Sequence, residues 1–165
     1  MVINKERLLE LSPIKNMMRT KEKNNGCSHG LSEAGYDIRI KQAIHFIPQQ
    51  HTIIRTDEGE VPEHHVGHFV LASAIEEFDM PDNLVGIVHD KSTWARRRLS
   101  VFNTVIEPGW KGFLTLELVY HGREELVIPA GTGIAQVIFH ELALPSRYDG
   151  KYQNQQDEPC EARHD

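Results

Sequence analysis

The chain has 165 residues, 39% hydrophobic and 25% charged, which suits one globular domain with a real core. A formal net charge of −6 excludes a general nucleic-acid coat, so an anionic ligand has to be met by a local basic cluster. Only Cys27 and Cys160 are present, too few for a disulfide framework. Residues 1–7 are charged early and lack an apolar signal core, and no run is long enough to span a membrane; both point to a soluble, cytoplasmic protein.

Residues 4–18 read as a short amphipathic helix. Leu8, Leu9, Leu11, Ile14 and Met17/Met18 recur at helical spacing, and Pro13 breaks the run. Residues 21–30 are polar and contain glycine, which predicts a loop or mobile arm. Short apolar runs punctuated by Gly, Pro, Asn and Asp follow, at 36–40, 43–47, 52–55, 68–74, 84–88, 100–105, 113–120, 125–128 and 134–139. Many short strands at close spacing predict an all-β barrel or sandwich, and nothing alternates with long helices as a parallel fold would. The segment 145–165 is polar and aromatic with almost no aliphatic residues, so it cannot bury a core face of its own. Its composition favours a frayed terminus; the alternative is a segment that orders over a ligand.

Three places carry chemistry. In a strand over 113–120, Leu114, Leu116 and Leu118 share the core face, and Phe113, Thr115, Glu117 and Val119 share the other. Glu117 is therefore either a solvated strand glutamate or a partly buried carboxylate with a raised pKa, suited to general base and acid work. Lys91-Ser92-Thr93 follows a strand and opens a helical turn that Ser92 or Thr93 could cap; with Arg96, Arg97 and Arg98 it makes either an anion site or a solvated basic face. Glu107-Pro108-Gly109-Trp110-Lys111-Gly112 reads as a hairpin turn, with Glu107 able to accept from a sugar hydroxyl. His64, His65 and His68, and Cys27-Ser28-His29, lack a second ligand pair at zinc spacing, and Gly67 with its loop-like context favours surface histidines. The His-x-Glu with Pro-Cys-x-x-Cys signature of zinc-dependent base deaminases is absent: Pro159-Cys160-Glu161-Ala162-Arg163 has no second Cys.

Together these blocks resemble the dCTP deaminases of the dCTP deaminase/dUTPase superfamily. The matching text is Ala34-Gly35-Tyr36-Asp37-Ile38-Arg39, Lys91-Ser92-Thr93-Trp94-Ala95-Arg96, the stretch from Glu107 to Leu118, Gly133-Ile134-Ala135-Gln136-Val137 and Gly150-Lys151-Tyr152-Gln153-Asn154-Gln155. The resemblance implies one domain over 1–165: a distorted, jelly-roll-like β-barrel of dUTPase type, with a short N-terminal helix and a C-terminal lid or tail at 145–165. It implies a homotrimer with active sites at subunit interfaces, and zinc-free hydrolytic deamination of dCTP to dUTP within pyrimidine deoxynucleotide supply. Glu117 matches the glutamate that activates water and shuttles the proton. Ser92 and Arg96 match the serine and arginine that orient the water and stabilise the tetrahedral centre. Lys91, Gln136, Tyr148, Lys151 and Gln155 match phosphate-contacting positions, Glu107 lies near the deoxyribose, and Thr93 and Trp110 complete the substrate-binding set. Magnesium would ride on the triphosphate, with no metal site made of protein ligands alone, and dTTP is a possible inhibitor; neither a membrane nor a nucleic acid is a partner. A dUTP diphosphatase or bifunctional enzyme, and a non-catalytic nucleotide sensor, remain as alternatives. The acidic Asp157-Glu158 in the tail, and Trp94 and Arg97-Arg98, depart from the family's usual text.

Overall fold

A computed structural model describes residues 1–48, 52–57, 61–66 and 68–164, with side chains left aside for 52–57 and 61–66. In chain order the elements are β1 (Val2–Ile3), α1 (Lys5–Leu11), β2 (Lys21–Asn24), β3 (Cys27–Leu31), β4 (Tyr36–Arg39), β5 (Ala43–Ile47), β6 (Thr52–Asp57) and β7 (Val61–Val66). Then come β8 (Phe69–Asp79), β9 (Leu84–Asp90), α2 (Ser92–Ala95), β10 (Leu99–Val101), β11 (Val105–Ile106), β12 (Lys111–Tyr120), β13 (Leu126–Ile128) and β14 (Gly133–Glu141). The all-β expectation holds. One seven-stranded sheet runs β11-β9-β14-β4-β3-β2 with β1 on β14, a second runs β10-β12-β8, and a third runs β13-β5-β6-β7.

The core lies between these sheets. Alternation along β9 buries Leu84, Gly86 and Val88, and alternation along β12 buries Leu116, Leu118 and Tyr120. Phe78, Phe139, Tyr36 and Leu8 are among the large side chains sealed inside.

Three expectations change. The helix expected over 4–18 stops at Leu11: Ser12 turns left-handed at φ 45°, and Pro13 cannot continue the ladder. The chain beyond pairs instead with β8, through an Ile14–Phe78 bridge. The stretch 21–30 is a hairpin rather than a loop. Its Asn25-Gly26 turn has both residues at positive φ, 49° and 78°, the conformation that matches strand twist in a two-residue turn. The strand expected over 100–105 splits, because the chain leaves β12 after Val101 and reaches β9 at Val105.

Candidate active site

Strand β12 carries Glu117 into a cavity of about 560 Å³, a volume in the range of small-molecule sites. The walls come from three places: β12 with Thr115 and Glu117, the hairpin with Glu107 and Trp110, and the tail with Tyr148, Tyr152 and Gln155. The β12–β8 register shifts between Phe113 and Thr115, and Leu114 lines the cavity although simple alternation assigned it to the core face. Burial raises the Glu117 carboxyl above the ordinary glutamate range, opposed only by a backbone hydrogen bond. Its Oε2 is buried without a hydrogen-bond partner. A carboxylate that lines a cavity while one of its oxygens is sealed from solvent and unpartnered is short of hydrogen bonds, and a ligand or water admitted beside it can supply them.

The tail is ordered by hydrogen bonds rather than by a core face. Tyr148 N–H donates to Pro108 O at 2.8 Å and Asn154 N–H to Lys111 O at 2.9 Å. Phe113 N–H donates to Gln155 O at 3.1 Å, beside a parallel bridge between Gly112 and Gln155. Gly112 permits this approach: it sits at φ 132°, and a Cβ there would lie 2.5 Å from Gln155 O. Gln153 Oε1 accepts from Lys111 N–H at 2.8 Å, and Trp110 Nε1–H donates to Tyr152 O at 2.6 Å. The reading of a frayed terminus is thus corrected: peptide groups of the hairpin and β12 hold the segment in place. Trp110 is buried, packed near Phe78, and tethers the tail.

A second set of expected site residues gathers elsewhere. α2 presents Ser92, Thr93 and Arg96 to solvent, while Trp94 is buried with Nε1–H donating to Gly133 O at 2.7 Å. The turn is not capped by Ser92 or Thr93: Lys91 occupies the N-cap, without a side-chain cap bond. Lys91 Nζ instead donates to Asp37 Oδ2 at 2.5 Å and Ser28 Oγ at 3.0 Å, as a buried ion pair. Gln136 Nε2 joins this network, donating to Ser32 Oγ at 2.8 Å and Asp37 Oδ1 at 3.2 Å. Asp37, 2% exposed, is the hub. Arg97 lies over the Trp94 ring at 5.2 Å.

Within one chain, then, Glu117, Glu107, Trp110, Tyr148 and Gln155 share the cavity, and Lys91, Ser92, Thr93, Arg96 and Gln136 do not line it. Lys151 is exposed outside it, bonded to Arg163 O and over the Tyr152 ring at 5.5 Å. Thr115, Tyr152 and the tail stretch Cys160-Glu161-Ala162 also line the cavity, although sequence reasoning gave them no site role. For Thr115 the signal was available, since it shares a strand face with Glu117. No cluster of three or more His, Cys, Asp or Glu able to hold a metal occurs among the described residues; the side chains of His64 and His65 lie outside them.

Comparison with known proteins fits this picture. The barrel-like fold is that of dUTPases: it matches the EIAV enzyme at TM-score 0.52 and 20% identity, covering 82% of this chain and 93% of that one. It also matches a Staphylococcus bacteriophage 80alpha dUTPase at TM-score 0.53 and 16% identity, over 83% and 91%. A mutant dUTPase of S. aureus phage phi11, described for its coordination of a structural Mg(II) ion, matches at TM-score 0.53 and 15% identity, over 84% and 94%. Sequence narrows the class. A model of dCTP deaminase-like proteins matches residues 9–142. The chain is 36% identical over 147 residues to a dCTP deaminase of Roseiflexus castenholzii, and 37% over 147 to one of Herpetosiphon aurantiacus, with 78% of each chain covered in both cases. The chain belongs to the dCTP deaminase-like family.

Proposed function

We propose that this chain deaminates dCTP to dUTP and ammonia, with Glu117 as the proton carrier. The observation that carries the reading is Glu117 itself, a cavity-lining residue whose carboxyl is desolvated and whose Oε2 is buried without a hydrogen-bond partner. Water adds to C4 of cytosine as Glu117 takes its proton; a C–O bond forms and the ring C=N electrons move to nitrogen. The proton then passes to the exocyclic amino group, the N3 electron pair re-forms the C=N bond as the C4–N4 bond breaks and ammonia leaves, and the C4 hydroxyl proton moves to N3 to give the uracil ring. A raised pKa suits a group that must hold that proton between the two steps. Glu107 at the cavity wall accepts from the deoxyribose hydroxyl, and Tyr148 and Gln155 face the phosphates.

Ser92 and Arg96 complete the site from a neighbouring copy. Their separation from the cavity within one chain supports a homotrimer with interfacial sites, as do the exposed apolar side chains of Phe69 and Val105 at the cavity and of Phe102 beside Phe69. Arg96 then stabilises the tetrahedral centre while Ser92 orients the water. Lys91 and Gln136 contact the triphosphate from that same copy, exchanging or sharing their bonds to Asp37. Magnesium fits as a passenger on the triphosphate. Glu107, Glu117 and Glu161 line the cavity without forming a three-ligand cluster, and Mg²⁺ bound through phosphates and water needs none.

A bifunctional reading draws on Glu107, a second carboxylate at the same cavity, which could aim water at the α-phosphate. Incubation with dCTP and Mg²⁺, followed by resolution of dUTP, dUMP, pyrophosphate and ammonia, separates the two. Equal dUTP and ammonia without pyrophosphate supports deamination alone; dUMP with pyrophosphate establishes the bifunctional enzyme. Tight binding without turnover would leave only a nucleotide sensor.

A further inference from the structure

We infer that Thr115 is a positioning residue: its side-chain hydroxyl fastens the C-terminal tail across the Glu117 cavity and sets the orientation of Gln155. The inference rests on the cavity being the nucleotide site. Thr115 is buried, and its Oγ1 accepts two donors from two separate points of the tail. One is the Gln155 side-chain amide N–H. The other is the Cys160 backbone N–H at 3.0 Å. The two tail residues thus converge on one atom, two positions from Glu117 on the same strand face.

Geometry gives this clasp a consequence. Two bonds to one hydroxyl oxygen use both its lone pairs, and the Gln155 amide keeps a second N–H for a ligand. The tail in this position is a wall of the cavity and leaves about 560 Å³ open beside Glu117, so a docked tail and a bound nucleotide are compatible. Beyond Gln155 the tail is held further by Lys41 Nζ, which donates to the Asp157 carbonyl at 3.0 Å and pairs with its carboxylate at 2.9 Å, and by Arg163 N–H donating to the Tyr152 hydroxyl at 3.1 Å. Those contacts are exposed, whereas Thr115 is buried. Valine at this position would keep the shape and lose both bonds, and the buried Gln155 amide would lose its partner.

The test is Thr115→Val beside Thr115→Ser, read in two ways. Without nucleotide, trypsin cleavage after Lys151 is followed. With dCTP and Mg²⁺, KM and kcat are measured separately. In T115V, cleavage after Lys151 is expected to quicken and KM to rise about 5- to 10-fold, the worth of about one buried hydrogen bond, with kcat within about twofold. T115S is expected to restore both. Should T115V fail to fold, Cys160→Pro removes the Cys160 N–H donor alone, without touching β12, and is expected to raise KM in the same direction. Unchanged cleavage and KM in T115V, or a T115S variant as impaired as T115V, would overturn the clasp. Faster cleavage in T115V from a wild-type protein that shows no dCTP turnover would instead uphold the clasp and overturn the reading of the cavity.

Discussion

The wall of the Glu117 cavity and the face around α2 are built on opposite electrostatic plans. The first takes one carboxylate out of water and leaves an oxygen without a partner, accepting a desolvation cost for reactivity. The second buries a lysine only because Asp37 neutralises it, and keeps Ser92 and Arg96 in solvent. On the proposed reading, neither region is a whole active site. A desolvated carboxylate without an electrophilic partner, and an exposed hydroxyl and guanidinium without a base, make chemical sense as the two halves that the proposal assigns to two copies.

The comparison breaks first at Glu117. Glu117→Gln is expected to lower kcat for deamination by about 10³-fold or more while dCTP binding persists, as measured by ammonia release and by titration calorimetry. The same variant reads the desolvation directly. Burial raises the folded-state pKa above that of the unfolded chain, so the native state holds the extra proton between the two values. The stabilisation is complete below the ordinary glutamate range and is lost as pH rises through the raised value. The Tm of E117Q is therefore expected to exceed wild type at pH 8 and to converge with it toward pH 4; a constant difference would remove desolvation as the cause.

On the other face, Asp37→Asn leaves the buried Lys91 ammonium without its counter-charge. It is expected to destabilise the fold by about 3 kcal/mol in urea unfolding, because breaking one side of a buried pair costs more than the pair contributes. The smallest effect is expected at Arg97. Its guanidinium is exposed and touches the face of Trp94, so Arg97→Ala should cost about 0.5 kcal/mol and leave kcat within about twofold. A large loss of activity in R97A would mean that the basic run acts as a unit rather than through Arg96.

Much of this was legible in the sequence, and unevenly so. Alternation in β12 placed Glu117 opposite the core leucines, because period-2 patterning survives wherever one face is buried. It left open whether that face was wet, since the tail that dries it lies about thirty residues away in sequence and holds on through peptide groups that composition does not reveal. The hairpin of β2 and β3 escaped notice because Lys21-Glu22-Lys23-Asn24 has no apolar face, although Asn25-Gly26 was a sufficient turn signal. The Asp37 hub was visible only as part of a family block. Its pairing with Lys91 joins residues 54 positions apart, which spacing alone cannot predict.

The most direct test of a site shared between two copies is complementation between Glu117→Gln and Arg96→Ala. Each variant alone is expected to be nearly inactive. Mixed within one oligomer, by co-expression or by dissociation and reassociation, they bring an intact Glu117 against an intact Arg96 at about one site in four, and about a quarter of wild-type activity should return. Recovery of that order would show that the two faces meet between chains. A mixture as inactive as its components, with mixed oligomers verified by mass spectrometry, would contradict it and place the whole site within one chain.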